Sequence, residues 1–417
     1  MRASLGSVYD ISVLRIWPAW IGAVFLGLLN VGITWYQRPW STYSGLRLWG
    51  YTILDKLGLH YFGTLPSPFQ DSTSVIDIGL LLGAFAAAHL AKEFALRGAT
   101  RREYTKGLGG GLMMGIGASL AQGCTVGGFL SPVSSLALAG FLMMAGLIVG
   151  AYAGAKFLVL EVSKFPPKVS PVAKPAGRAP RYNYGAMPIF GALLAGVTVL
   201  MAYSYTTIGF SVQGGLLVFG FVIGVVLQRS KWCLASAFRE PFLSGDAKYA
   251  RAGFLTAFIG VVGITALKAT GTIGTYVFVI PVGTQDIIGG VIFGFGMVMA
   301  GGCASGTLWR VGEGHLKLWV ALVGFMFGSG ILPNFLGNEL YSSLTNGARI
   351  FIPDSLGYGV AFLAVVGLLG LWYLSVSLNQ ARRQSKSLGS VLMGGMPGFK
   401  LRLTGTSEGS NEEAAKS

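Results

Sequence analysis

Residues 110–127, GGLMMGIGASLAQGCTVG, are repeated in part at residues 289–306 as GGVIFGFGMVMAGGCASG. Aligned without gaps, the two segments are identical at 8 of 18 positions, where a glycine-rich composition alone would give roughly one or two. The shared residues are six glycines, one alanine and the cysteines Cys124 and Cys303. Glycine can recur because helices pack closely through it, but close packing does not require cysteine. The repeat therefore predicts a common chemical role for the two thiols.

The composition is that of an integral membrane protein. The chain of 417 residues is 53% hydrophobic and only 11% charged, whereas about a quarter of the residues in soluble domains are charged. In a soluble protein, a net charge of +15 would suggest a nucleic-acid partner. Here the basic residues fall between apolar runs, so we expect them to orient the chain in a lipid bilayer, with no nucleic acid bound.

Ten apolar stretches are long enough to cross the bilayer, either directly or as broken helices. They lie near residues 17–34, 75–96, 107–135, 136–160, 185–203, 209–227, 250–270, 286–303, 316–335 and 356–378. If the N-terminus is inside and every stretch crosses once, 24 of the 31 Lys and Arg residues fall in inner segments and 4 in outer segments. This bias predicts a multi-pass protein of the cytoplasmic (inner) membrane with both termini in the cytoplasm.

In this topology, the two cysteine segments cross the membrane in opposite directions. Residues 107–124 run from the inner to the outer side, and residues 286–303 run from the outer to the inner side. Inverted repeats whose broken or re-entrant helices meet at the midplane are typical of transporters. We therefore predict an all-α membrane protein. Its expected parts are an N-terminal anchor helix and outer loop (1–74), a first half (75–160), a basic Pro-rich inner linker (161–184), a second half (185–378) and a disordered inner tail (379–417).

The candidate site consists of three cysteines with the glycines and hydroxyl groups beside them. They are Cys124, Cys233, Cys303, Gly123, Gly302, Thr125 and Ser305. A single buried cysteine is usually a small hydrophobe, but repetition at matching positions of opposed segments favours a site. Cys233 lies between two spans, either on a surface amphipathic helix or on a short helix that dips into the protein. Three arginines at the predicted inner mouth either attract anions or anchor the topology: Arg229, Arg239 and Arg310.

The other polar residues are few. Asp77, Glu93 and Asp286 fall near the ends of predicted spans, so we expect them at the membrane interface. His89 is expected to form a helix–helix hydrogen bond rather than to relay protons. Without a carboxylate relay at the midplane, the sequence favours channel-like passage over proton coupling. The aromatic residues of 35–74 are expected to form an interfacial belt.

Three motifs resemble those of a known family. They are Arg229…Cys233…Ser236-Ala237-Phe238-Arg239, Gly290…Cys303…Gly306 and Gly115…Gly123-Cys124. Together they resemble the YeeE/YedE family of sulfur-transport membrane proteins over roughly residues 75–378, and the order of elements is most similar to its YedE-type branch. The resemblance implies uptake of thiosulfate through an hourglass-shaped protein in which Cys124, Cys233 and Cys303 contact the ion in succession. It also implies a soluble cytoplasmic sulfurtransferase as partner and links the YedE-type branch to selenium metabolism.

Neutral thiols suit a small sulfur-containing anion such as thiosulfate. Thiosulfate is a dianion with a soft terminal sulfur, to which an uncharged S–H group offers a weak donor and a polarizable surface. A thiolate would instead repel the dianion. Weak contacts at several levels allow the ion both to bind and to leave.

Other functions remain open. One is a selenium-species transporter of the same fold, and another is a membrane thiol enzyme that relays sulfur as a persulfide. The second lacks a Cys-x-x-Cys pair. Soft-metal transport is disfavoured because no cluster of Cys, Met or His has ligand spacing. The glycine clusters lack the Lys-Ser/Thr of a nucleotide-binding loop, so we expect no cofactor, no resident metal and no catalytic residue.

Overall fold

The computed structural model describes residues 13–58, 64–165, 185–385 and 388–393. Within these ranges the protein is almost entirely helical, with one antiparallel pair of two-residue strands. Ten of the described helical stretches are long and apolar enough to cross a membrane. The prediction of an all-α integral membrane protein with about ten crossings is confirmed.

The described helices include both long and short ones. In chain order they are α1 (Ala19–Tyr36), α2 (Tyr43–Lys56), α3 (Ser72–Leu90), α4 (Arg101–Leu120), a π-helical turn (Thr125–Leu130) that continues into α5 (Ser131–Ser134), α6 (Leu138–Lys164), α7 (Met187–Thr207), α8 (Ser211–Ser230), α9 (Leu234–Leu243), α10 (Lys248–Ala269), α11 (Thr284–Ala300), α12 (Ala304–Gly312), α13 (Leu316–Thr345), α14 (Ile352–Gln384) and α15 (Leu388–Met393). The strands are β1 (Pro281–Val282) and β2 (Ala348–Arg349).

The repeat is longer than the glycine–cysteine segments. From α1 to α6 the chain forms long, short, long, long, short and long helices, and α8 to α13 follow the same order. We therefore assign residues 19–164 and 211–345 as the two repeats. On this assignment α1 and α2 belong to the first repeat, rather than forming a separate anchor and outer loop over residues 1–74.

The two repeats pack through each other. The most extensive helix contacts all join one repeat to the other: α4 with α13, α11 with α6, α3 with α8, α4 with α11, and α10 with α1. Each of these pairs has its counterpart when the repeats are exchanged, and α4–α11 is its own counterpart. The repeats are thus related by a pseudo-two-fold axis that passes through the α4–α11 contact.

The glycines of the repeated segment form this central contact. A Cβ atom on Gly296 would lie 2.7 Å from the carbonyl oxygen of Gly110, and one on Gly289 would lie 2.6 Å from that of Gly117. The start of α4 therefore faces the end of α11, and the end of α4 faces its start. This antiparallel crossing agrees with the predicted inversion, and it explains why glycine recurs in both segments.

Loops that were predicted to share a side of the membrane do lie together. At one end Arg97 bridges to His315, and at the other end Tyr36 Oη donates a hydrogen bond to the carbonyl oxygen of Ser211. The strands β1 and β2, both in segments predicted to be outer, pair with each other. The sorting of segments into two ends is thus consistent with the prediction.

Parts of the expected organisation differ from the structure. Trp40 and Tyr43 are 2% and 3% exposed, so they do not belong to an interfacial belt, because α2 and the residues before it fold into the bundle. The chain beyond residue 379, expected to be disordered, continues α14 to Gln384 and forms α15. Residues 394–417 lie outside the described ranges, as do residues 166–184 of the predicted linker.

Candidate functional site

Each repeat contains two short helical segments, and a small polar or thiol side chain precedes each of them. The four N-cap residues are Thr42, Cys124, Cys233 and Cys303. None of their side chains makes a capping hydrogen bond to its own helix. The four side chains are therefore free to contact one another, while the first N–H groups of each helix have no partner within that helix.

The thiols of Cys233 and Cys303 are in contact, and we call them the thiol pair. Gly306 makes room for them, because a Cβ atom at this position would lie 2.9 Å from Cys233 Sγ and 3.4 Å from Cys303 Sγ. Each thiol also has a hydroxyl neighbour. Cys233 Sγ lies 3.6 Å from Ser236 Oγ, and Cys303 Sγ lies 3.5 Å from Ser305 Oγ.

The first repeat has a matching arrangement in which one thiol is replaced by a hydroxyl. Thr42 Oγ1 lies 3.1 Å from Cys124 Sγ. Gly127, which aligns with Gly306, leaves room for the residue before Thr42, because a side chain on Gly127 would collide with that of Ser41. Thr42 thus occupies in the first repeat the position that Cys233 occupies in the second.

Thr125 connects the two pairs. Its hydroxyl lies beside the Cys303 thiol without forming a well-aligned hydrogen bond, and its neighbour in the chain is Cys124. Thr42 is thus in contact with Cys124, and Thr125 and Cys233 lie beside Cys303. Because Cys124 and Thr125 are neighbours in the chain, we treat these five residues as one group, drawn from both repeats, and call it the polar column.

The polar column is closed to solvent. The three thiols are at most 1% exposed. Beside Cys233 and Ser305 is a cavity of about 10 Å³ that also borders Val126 and Leu130, and it can hold no more than one water molecule. The space beside Cys233 and Ser305 is therefore too small for a molecule larger than water.

Comparison with known proteins identifies the family. A family model described as sulphur transport matches residues 3–153 and 229–397, which is most of the chain. The chain belongs to the sulphur transport family. The probable transporter YedE of Escherichia coli (strain K12) is 29% identical over 377 residues, covering 85% of this chain and 91% of that protein.

Two further proteins similar to this chain are named as thiosulfate transporters. The thiosulfate transporter TsuA of Escherichia coli (strain K12) is 37% identical over 176 residues, covering 41% of this chain and 49% of that protein. TsuA of Spirochaeta thermophila (strain ATCC 700085 / DSM 6578 / Z-1203) is 39% identical over 115 residues, covering 28% and 34%. The resemblance to the YeeE/YedE family is confirmed, and with it the prediction of a sulfur-transport membrane protein.

In this chain, the predicted site residues Gly123 and Gly302 act through the shape of the backbone. A Cβ atom on Gly123 would lie 2.6 Å from the carbonyl carbon of Gly127, and one on Gly302 would lie 3.3 Å from that of Gly306. Both glycines let the chain turn tightly from a long helix into a short one. They shape the polar column and contribute no side chain to it.

The three arginines predicted at the inner mouth separate into different environments. Arg310 donates a hydrogen bond to the carbonyl oxygen of Gly301, two residues before Cys303 in the chain. Arg239 is paired with the adjacent Glu240 at 2.6 Å. Arg229 lies away from the column, in a network of charged residues.

This network, the ion-pair cluster, ties the repeats together at the predicted inner end. Glu93 accepts hydrogen bonds from Arg229 at 3.1 Å and from Lys231 at 2.7 Å. Glu313 pairs with Lys231 and, at 3.6 Å, with Arg97. Burial alone would raise the pKa of Glu93, but the hydrogen bonds and charges of Lys231 and Arg229 outweigh it, and the pKa lies below its ordinary value. Glu93 is therefore ionised and firmly paired at neutral pH.

Two residues of the site were missed from the sequence. Thr42 shares no residue identity with Cys233, and only the matching order of long and short helices reveals its position. Asp77 was expected near the membrane interface; in the structure it is fully buried within the bundle, covered by Gly45 of α2. The sequence did contain a signal for Asp77, because it is an acidic residue inside a predicted apolar span. A charged group there is costly and is usually retained for a function.

Two further polar residues predicted in the spans, Asp286 and His89, have local partners. Asp286 is also buried, at 1% exposure, and accepts a hydrogen bond from the backbone N–H of Gly283 at 2.9 Å, so it caps α11. His89 Nδ1 lies 2.8 Å from the carbonyl oxygen of Phe85, one turn earlier in α3. The expected helix–helix hydrogen bond is thus a bond within one helix.

Proposed function

We propose that this protein takes up thiosulfate across the cytoplasmic membrane, and that the ion passes along the thiols of Cys124, Cys303 and Cys233. The observation that carries the proposal is the polar column, a group of residues from both inverted repeats in which all three cysteines of the chain are buried. Two relatives named thiosulfate transporters support the choice of ion.

The chemistry of the column fits such an ion. A protonated thiol offers a weak hydrogen-bond donor and a polarizable sulfur to the terminal sulfur of thiosulfate. The N–H groups at the starts of α9 and α12 supply stronger donors for its sulfonate oxygens, and the positive end of each helix dipole favours a negative ligand. Successive weak sites let the ion move on after it binds.

The test is uptake of radiolabelled thiosulfate by liposomes that contain the purified protein. Replacing Cys124, Cys233 or Cys303 with Ala should each lower initial uptake by at least about tenfold, equivalent to ~1.4 kcal/mol. Gly196→Ala is the matched control, because a Cβ atom there meets open space. Normal uptake by all three cysteine variants would reject the thiol pathway. Uptake of selenite or sulfide but not thiosulfate would replace the substrate and retain the architecture.

The contact between Cys233 and Cys303 supports a second candidate, a persulfide relay. The sequence has no Cys-x-x-Cys motif, but folding brings two thiols together. In this reaction a cysteine sulfur attacks the terminal sulfur of thiosulfate, the S–S bond breaks, sulfite leaves, and the cysteine becomes a persulfide that carries the proton. Mass spectrometry after exposure to thiosulfate decides between the two, since only the relay adds one sulfur atom to a cysteine.

We also propose that both termini are cytoplasmic, from the excess of Lys and Arg in segments of one side, and that a soluble sulfurtransferase receives the ion there. A fluorescent protein that matures only in the cytoplasm, fused to the C-terminus, should fluoresce. Co-purification of a sulfurtransferase with the wild-type protein tests the partner.

A further inference from the structure

The polar column has a carboxyl group beside its outer end. Asp77 lies in α3, and its side chain is completely buried. Gly45 of α2 covers it so closely that a side chain on Gly45 would collide with the carboxyl group. Gly45 lies one turn after Thr42, the N-cap residue of α2, whose hydroxyl is 3.1 Å from Cys124 Sγ. Asp77 is therefore packed against the first turn of α2, next to the residue that contacts Cys124.

Asp77 has no strong partner in the part of the chain that the structure describes. Neither carboxyl oxygen makes a well-formed hydrogen bond, although the backbone N–H of Leu46 approaches. No described cation is paired with it. Buried polar groups in proteins are almost always hydrogen-bonded, so such a group needs a functional explanation.

The charged groups around Asp77 do not offset an ionised carboxylate. From its own helix Asp71 faces it, and from the turn after α4 the Cys124 thiol does. The nearby basic residues have other partners: Arg47 of α2 donates to Tyr43 Oη at 3.1 Å, and Arg38 interacts with Asp71. Helices α7, α8 and α12, which also pack on α3, bring no described ionisable group to it.

An ionised Asp77 would conflict with passage of the ion. A dianion at Cys124 would meet a second negative charge in a water-poor site, where like charges repel strongly. A protonated Asp77 instead offers an O–H donor to an oxygen of the ion. Occupation of the outer site and protonation of Asp77 therefore favour each other, and such linkage is reciprocal.

We propose that Asp77 is a proton-binding residue of the transporter, and that thiosulfate reaches Cys124 only when Asp77 carries a proton. The proposal rests on the proposed thiosulfate uptake. It replaces the expectation, drawn from sequence, that passage is independent of a carboxyl group. On this proposal, the protonation state of Asp77 determines whether the column can accept thiosulfate.

The test is initial thiosulfate uptake by liposomes as the external pH is raised from about 5.5 to about 8.5, a range over which a perturbed carboxyl group can titrate and thiosulfate stays a dianion. Wild-type uptake should fall on the alkaline side, approaching about tenfold per pH unit for one required proton. Asp77→Asn should flatten the profile, and Asp77→Glu should retain a pH-dependent profile with a displaced midpoint. Asp354→Asn, which alters an exposed carboxyl group at the predicted outer end, should behave as the wild type.

A second measurement avoids variants that fail to fold. At a starting pH on the alkaline side of the wild-type uptake profile, where free Asp77 is ionised, thiosulfate added to the wild-type protein in weakly buffered detergent should raise the pH, with on the order of one proton taken up per bound ion. An unchanged pH, an Asp77→Asn profile as steep as the wild type, or a folded Asp77→Asn protein inactive at every pH would overturn the proposal. Wild-type protein that takes up no thiosulfate at any pH would reject the proposed function itself, whereas pH-independent wild-type uptake rejects only the role of Asp77.

Discussion

At the residue scale, the thiols of Cys233 and Cys303 can approach each other because Gly306 has no Cβ atom. Cys233 approaches Cys303 from another part of the same repeat, and the two sulfurs meet where a side chain on Gly306 would stand. Gly127 serves the same purpose for the segment that carries Thr42. The glycines three residues after Cys124 and Cys303 therefore belong to the site, although they offer no functional group.

Gly306→Ala should lower thiosulfate uptake by about tenfold or more. The added methyl group would lie 2.9 Å from Cys233 Sγ, which is inside contact distance, so the thiols must separate. Uptake by liposomes with equal amounts of inserted protein measures the effect, with Gly196→Ala as control. Wild-type uptake by Gly306→Ala would mean that contact between the two thiols is not needed.

Thr42→Val should lower uptake about fivefold, because it keeps the shape of the side chain and removes a hydrogen bond worth ~1 kcal/mol. Thr42→Ser, which keeps the hydroxyl beside Cys124, should retain most of the activity. The two variants are compared in the same uptake assay. Equal activity of the Val and Ser variants would remove Thr42 from the pathway.

At the element scale, the glycines of the repeated segment decide how closely α4 and α11 approach. Gly110 and Gly117 meet Gly296 and Gly289 backbone to backbone, whereas Gly109 on the same helix faces open space. The helix contact and the site are therefore encoded together, since the same segment that packs the helices ends at the cysteine.

Gly110→Ala and Gly296→Ala should each destabilise the protein by about 1–3 kcal/mol, because the added methyl groups press on backbone that cannot yield. The measurement is the midpoint of thermal unfolding in detergent. Gly109→Ala, on the same helix as Gly110, is the matched control and should unfold at or above the wild-type temperature. Unchanged midpoints for the first two variants would show that the crossing tolerates wider spacing.

Most elements could be predicted from the sequence, because apolar length and glycine repetition report directly on spans and close helix contacts. Cys124 and Cys303 could be singled out because they recur in a repeated segment, and Cys233 because its motif resembles one of the YeeE/YedE family. Thr42 and α2 could not, since α2 has 14 residues against the 10 of α9 and no shared residue marks the correspondence. The burial of Asp77 depends on α2 folding over it, which no local pattern indicates.

At the scale of the whole molecule, the ion-pair cluster links α3, α8 and the end of α12. The lowered pKa of Glu93 means that its ionised form is favoured by folding. Its contribution to stability is therefore complete above the pKa of an unfolded glutamate, near 4.3, and is lost as the pH falls through the lower pKa of the folded state.

The wild-type unfolding temperature should therefore drop as the pH falls below about 4. Glu93→Gln should unfold at a lower temperature at neutral pH and show a smaller further drop in acid. Glu339→Gln, at an exposed position of α13, serves as control and should follow the wild type. Equal acid sensitivity of Glu93→Gln and wild type would exclude Glu93 as a source of that sensitivity.

The packing of each repeat through the other restricts how this protein can work. A pair of lobes that merely abut can pivot to open first one way and then the other. Here such a pivot would have to separate the helices in all five of the most extensive described contacts, including the α4–α11 contact on the pseudo-two-fold axis. If the protein takes up an ion as proposed, we therefore expect the long helices to stay in place while the segments that begin at Thr42, Cys124, Cys233 and Cys303 shift to admit it.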